Sequence, residues 1–363
     1  MQKKSGTEKK VPRYIQIYER LKQDIVNGDY PFGTRLSSRE TMAAEMNVSV
    51  ITIKHAYELL CDEGYIESKE RSGYFVVFRK EDAFASSAVL TTRDWIPVYN
   101  KQEYSLPFSV LSKTMRRVMN DYSDSILKRT PNKGGLEFRE AIRKYLARNR
   151  SIHADIEQII VGSGAEYLYS LIVGIFGSSS VFALEYPSYQ KIEQVYRMAG
   201  VKCELLPLGS DGIESSALAG TSAKILHISP YRSFPSGVTA SASKKYEYIR
   251  WASQNERFMI EDDFESEFSM SRKPEETMFA LSNCDNVIYM NSFSQTISPS
   301  LRVGYMVIPK CLVKTFDEQL GFYSCTVPTF EQLVIADLLN SGDFERHINR
   351  VRRNKRRENS WLN

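Results

Sequence analysis

Few histidines and cysteines are present in this chain: 4 and 5 respectively, in 363 residues. Cys61, Cys203, Cys284, Cys311 and Cys325 are odd in number and far apart, with no C-x-x-C pair, which excludes a disulfide framework and a cysteine zinc site. His153, His227 and His347 form no metal-ligand spacing either. No apolar run reaches membrane-span length, and Met1-Gln2-Lys3-Lys4-Ser5-Gly6 leads into no signal core. Charge of one sign is also missing, with 48 Lys+Arg against 44 Asp+Glu giving a net +4, so total charge makes no case for nucleic acid. These absences predict a cytoplasmic protein with reduced thiols and no metal. Its length calls for two or more domains.

The first eighty residues are the most regular. Apolar residues at Tyr14, Ile17, Tyr18, Leu21 and Ile25 recur at helical spacing until Asn27-Gly28. Pro31-Phe32-Gly33 makes a turn, and Ser37 or Ser38 can cap a second helix that buries Met42, Ala43 and Met46 and ends at Asn47. Ser49 can cap a third helix with Ile53, Ala56, Tyr57 and Leu60 inward, closed by Gly64. Tyr65-Ile66-Glu67-Ser68 and Tyr74-Phe75-Val76-Val77 alternate as two strands around Arg71-Ser72-Gly73. Three helices and a two-stranded wing predict a winged helix-turn-helix.

That stretch resembles the GntR family signature at Tyr14, Gln16, Ile17, Gly33, Leu36, Ser38, Val48, Ser49, Thr52, Ala56, Tyr57, Leu60, Glu63 and Gly64. It departs in three places. Ser37 stands for a proline, Glu40 for an arginine of the second helix, and Val50 for the arginine that opens the third. The resemblance implies double-stranded DNA as partner, with Ser49, Val50, Thr52, Lys54 and His55 offered to the major groove, Arg35 and Arg39 holding phosphates, and Ser38 also among the DNA-binding residues. Arg39, one position early, partly replaces the lost charge at Glu40. Plain surface charge remains the alternative for Arg35 and Arg39, and an exposed bystander is the favoured reading of His55.

Residues 80–100 lose periodicity and read as a linker between a first domain over 10–79 and a second over 101–363. In the second, helical and apolar-strand patterns alternate, which predicts an α/β domain with a mainly parallel sheet. Ile159-Ile160-Val161 reads as a buried strand, Gly162-Ser163-Gly164-Ala165 as a glycine turn, and Glu166–Ile172 as the helix it opens. Amides freed at such a helix start can hold an anion, although many such turns serve packing alone.

Four segments follow in order: Glu185-Tyr186-Pro187-Ser188-Tyr189, then Ser229–Thr239, then Ile260–Phe268, then Asn291–Tyr305. Together with the glycine turn they resemble the fold-type-I, class I/II aminotransferase-like domain of the MocR regulators, which are GntR proteins fused to that domain. By that resemblance the pyridoxal 5′-phosphate site comprises Gly164, Ala165 and Arg302 at the phosphate, Tyr189 stacked on the ring, and Asp262 at the pyridine nitrogen. Phe264 replaces a tyrosine whose hydroxyl meets the cofactor. Gln295 replaces the lysine of S-[FL]-S-K-x6-R-x-G, whose amine bonds to the cofactor aldehyde and later moves the substrate proton. A carboxamide does neither, so no catalytic residue is assigned.

The resemblance also implies that Leu338–Arg353 form the family's long helix, that the small lobe beyond it is missing, and that the pocket is open on one side. The basic residues from Arg350 to Arg357 read as a solvated helix face. The expected function is a DNA-binding transcriptional regulator, working as a homodimer, whose second domain senses an amino compound or non-covalent pyridoxal phosphate. The alternative is a pyridoxal-phosphate aminotransferase with an accessory DNA-binding domain.

Overall fold

The computed structural model describes residues 12–69, 72–79, 106–269 and 276–362. The chain divides into two compact units, residues 1–98 and 99–363. Arg71 of the wing turn and the segment read as a linker lie outside the described residues.

In the first unit, α1 (Arg13–Asn27) stops where Gly28 takes a left-handed φ of 93°. Next, α2 (Arg39–Glu45) starts at Ser38 and α3 (Val50–Asp62) at Ser49, each cap serine accepting a backbone N–H at 3.2 Å. Antiparallel β1 (Ile66–Lys69) and β2 (Gly73–Val76) form the wing, with Ile66 opposite Val76. Leu21, Ile53, Ala56, Tyr57 and Leu60 are fully buried between them. The Tyr57 hydroxyl donates to the Ser37 carbonyl at 2.9 Å, so the buried phenol is satisfied. Three helices and a wing stand where the hydrophobic spacing places them.

The second unit begins with α4 (Phe108–Tyr122) and α5 (Leu136–Arg150), then runs β3 (Ile159–Gly162), α6 (Ala165–Phe176), β4 (Val181–Tyr186), α7 (Gln190–Met198), β5 (Lys202–Gly209) and β6 (Gly212–Ile213). It continues through α8 (Ser215–Gly220), β7 (Ile225–Ile228), α9 (Ala242–Ala252), β8 (Phe258–Asp262), α10 (Met278–Leu281), β9 (Val287–Ser292) and β10 (Gly304–Val307). Last come α11 (Lys310–Leu320), α12 (Thr329–Asn340) and α13 (Asp343–Leu362). One 8-stranded sheet has the order β3-β10-β9-β8-β7-β4-β5-β6. Its middle is parallel from β9 through β5, and β10 and β6 pair antiparallel. Both faces are covered. Ile159, Val161, Tyr305 and Val307 pack into one apolar cluster with α5 and α12, while Ile160, Met306 and Ile308 pack into another with α6 and α11. Two-sided burial is why these strands read as continuous apolar runs rather than alternating ones.

The sequence differs from the fold at Leu338–Arg353. It is not one long helix, because Gly342 takes a φ of 73° and separates α12 from α13. Nor is the basic stretch wholly a solvated face: Arg352 is half-buried and its Nε donates to the Glu267 carbonyl at 2.6 Å. No helix among the described residues is long and apolar enough to cross a membrane.

Candidate functional site

On the first unit, Arg35, Ser38, Ser49 and Lys54 are exposed and Arg39 and Thr52 half-buried. Arg35 bridges to Phe75 of the wing, and its guanidinium lies 3.2 Å from where a Cβ on Gly73 would stand. Much of the polar inventory is already committed. The Ser49 and Thr52 hydroxyls share a hydrogen bond of 2.8 Å, as do those of Ser38 and Thr41 at 3.0 Å. Lys54 sits 3.6 Å from Glu58, and the His55 ring meets Tyr14 edge-on at 5.7 Å. Glu40 is held below the usual carboxylate range by hydrogen bonds from its own backbone amide and from Ser38, so its charge faces the start of α2.

On the second unit, the carboxyl ends of β4, β7, β8 and β9 meet the start of α6, the crevice where open α/β sheets place their ligands. A cavity of about 390 Å³ opens there. Ala165, Tyr189, Asp262, Phe264, Gln295 and Arg302 all line it, so residues more than a hundred positions apart come together at one cavity. Gly164 is behind the wall, with a φ of 92°. A Cβ there would stand 3.2 Å from the Arg302 guanidinium, so glycine is what lets that arginine lie against the turn.

Several participants were not singled out from sequence. Glu166, in the first turn of α6, pairs with both Arg302 and Lys191. Burial pushes its carboxyl up, but the Lys191 ammonium and Arg302 outweigh that and hold it below the usual range. Tyr169 donates its hydroxyl to Asp262 Oδ2 at 2.6 Å, and burial beside that carboxylate drives its own pKa well up. His227 Nε2 lies 3.5 Å from Asp262 Oδ2, while its Nδ1 shares a hydrogen bond of 2.7 Å with the buried Tyr196 hydroxyl. The only sequence hint was a histidine on the otherwise apolar strand Ile225-Leu226-His227-Ile228. Glu185, fully enclosed, accepts from Ser229 N at 3.1 Å and Ser233 Oγ at 2.7 Å, and burial raises its pKa to about 7. At the mouth, Tyr189 and Phe234 meet edge-to-face at 6.2 Å.

The profile of the bacterial regulatory proteins of the gntR family matches residues 13–76, and that of aminotransferase class I and II matches residues 100–360. Among curated proteins, the HTH-type transcriptional regulator YdeL of Bacillus subtilis is 29% identical over 354 residues, covering 94% of this chain and 76% of that protein. The probable rhizopine catabolism regulatory protein MocR of Rhizobium meliloti is 25% identical, covering 94% and 75%. The HTH-type pyridoxine biosynthesis transcriptional regulator PdxR of Corynebacterium glutamicum is 24% identical, covering 93% and 75%. Among solved structures, Pyrococcus horikoshii kynurenine aminotransferase in complex with PMP superposes with a TM-score of 0.62 at 26% identity. The match covers 68% of this chain and 64% of that one, so this chain spans less than two thirds of the solved enzyme.

Proposed function

Since the chain belongs to the GntR-type bacterial regulators that carry an aminotransferase class I and II domain, we propose that its second unit is a ligand sensor that performs no transamination. The observation that carries this reading is Gln295, which lines the cavity beside Ser292, Ser294 and Arg302 with no amine to offer. Pyridoxal phosphate, when bound, supplies an aldehyde and an electron-withdrawing ring. The residues present suit its ring and phosphate and do not suit its covalent attachment. Asp262 would hold the pyridine nitrogen and Tyr189 the ring face. The phosphate would meet Arg302 and the start of α6, where it competes with the Glu166 carboxylate already paired there. The missing amine removes the covalent link to the cofactor altogether, and the missing hydroxyl at Phe264 removes a hydrogen bond to a charged group worth roughly 1.5–3 kcal/mol. A pyridoxal-type compound or another small amino compound, held reversibly, suits this donor set. The name of PdxR, which ties that relative to pyridoxine biosynthesis, supports the same ligand class.

The first unit is read as the DNA reader, with Arg35, Ser38 and Arg39 toward phosphates and the start of α3 toward bases. Two readers in a homodimer would span two half-sites. The sensor reading is tested by absorption spectroscopy of the full chain with added pyridoxal phosphate. The expected spectrum is that of the free aldehyde, whereas Gln295→Lys gains the longer-wavelength band of a protein-linked cofactor. Steady transamination by the unmodified chain, above the rate of free cofactor with amino acid, would instead make it an aminotransferase with an accessory DNA-binding unit.

A further inference from the structure

The start of α3 carries two β-branched apolar side chains that the fold does not use. Val50 is 42% and Ile51 66% exposed, whereas Ile53, Ala56, Tyr57 and Leu60 on the opposite face are fully buried. β-Branched residues weaken a helix, and exposed ones add no burial in return, so local stability gives no reason for the pair. The other side chains around them are engaged within the unit: Ser49 with Thr52 at 2.8 Å, Lys54 with Glu58 at 3.6 Å, and the His55 ring against Tyr14 of α1. Arg35 and Arg39 in the same unit bring positive charge suited to a polyanion.

In the major groove only thymine presents an apolar group, its C5-methyl, whereas arginine at such a position pairs with guanine O6 and N7. We infer that Val50 and Ile51 read thymine methyl groups, so that the bound half-site carries thymine where an arginine opening this helix would call for guanine. The pair sets sequence preference through apolar contact, and the neighbouring cations set affinity. This inference rests on the DNA-reading role proposed above.

The test starts by selecting duplexes from a random library with the full chain, then measures affinity by fluorescence anisotropy at fixed salt. Replacing a contacted thymine by deoxyuridine deletes only the methyl. Each such replacement should weaken binding about fourfold, the loss expected for one buried methyl-sized group. In the Val50→Ala, Ile51→Ala double variant the same replacement should change affinity less than twofold. Both side chains are exposed, so that variant keeps its core, and unchanged thermal unfolding of the unit verifies this. Val50→Arg should move the selected base from thymine toward guanine. Tight binding that ignores the thymine methyls, or a selected site with guanine at these positions for the unmodified chain, would overturn the inference alone. Failure to bind any duplex would overturn it together with the DNA-reading role.

Discussion

The start of α3 and the cavity of the second unit each carry an uncharged residue where the family resemblance implies a cation, Val50 at the position of an arginine and Gln295 at that of a lysine. The surroundings differ. Val50 stands in solvent, so its exchange alters what can be read and leaves the fold alone. Gln295 lines the cavity with Asp262, which belongs to a set of buried side chains: Tyr169 donates to Asp262, His227 Nε2 lies 3.5 Å from the same carboxylate, and His227 Nδ1 shares a hydrogen bond with Tyr196. Removing one member of such a set leaves another buried without its partner, which costs more than any exposed exchange. Groups that reach out to a ligand can change freely. Groups that hold one another inside the protein cannot, and this is why an aminotransferase-like pocket persists around Gln295.

The largest effect that sharpens this contrast lies one layer behind the pocket. Arg150 is buried, with Asp263 Oδ2 at 3.4 Å and Glu267 Oε1 at 3.1 Å, and both carboxylates are buried as well. Arg150→Ala should destabilise the second unit by about 3–5 kcal/mol, because two buried carboxylates lose their counter-ion. Denaturant unfolding with probes in each unit checks this. An unchanged stability of the second unit would break the contrast between exposed groups and groups that hold one another inside it.

A smaller effect depends on pH. The folded state holds the Glu185 proton up to about pH 7, while an unfolded glutamate releases it near its ordinary 4.5. Between those values the unfolded state binds fewer protons, so the stability present below about pH 4.5 is lost as pH rises through about 7. For this one group the loss reaches up to about 3 kcal/mol. Glu261, also raised to about 7 by burial, contributes in the same direction. Glu185→Gln keeps one oxygen to accept from Ser229 and Ser233 and removes the titration. Its stability should therefore fall less across this window than that of the unmodified chain, and an identical slope in the two proteins would refute the assignment.

Legibility in the sequence follows the same division. Helix caps and core positions of the first unit were readable because each is a local rule: Ser49 three residues before Thr52, and Ile53, Ala56, Tyr57 and Leu60 at helical spacing. The pocket wall was readable from ordered motifs, which bring Ala165, Tyr189, Asp262 and Arg302 to one cavity. Its partners were not. Tyr169 and Asp262 are 93 residues apart, and nothing local marks a tyrosine on an apolar helix as the one whose hydroxyl reaches a carboxylate. Glu166 was read as part of a helix and proves to be the carboxylate that neutralises Arg302. The break at Gly342 is marked in the sequence by Asn340-Ser341-Gly342-Asp343, a helix-stop cluster, but the resemblance to one long helix outweighed that local signal.

The smallest predicted effect separates charge from shape within the DNA reader itself. Arg39 opens α2 beside Glu40, whose carboxylate is held down by its own backbone amide, by Ser38 and, less, by the Arg39 charge. A phosphate contact carries no sequence information, so Arg39→Ala should weaken binding equally for all duplexes and lower the salt slope by about one. Alanine at Val50 and Ile51 should do the reverse, shifting base preference while the slope stays the same. Measuring both variants on the same duplexes across a salt series distinguishes the two kinds of contact. An unchanged slope for Arg39→Ala would remove it from the phosphate side and leave Arg35, braced against the wing at Gly73, as the cation that positions the helix.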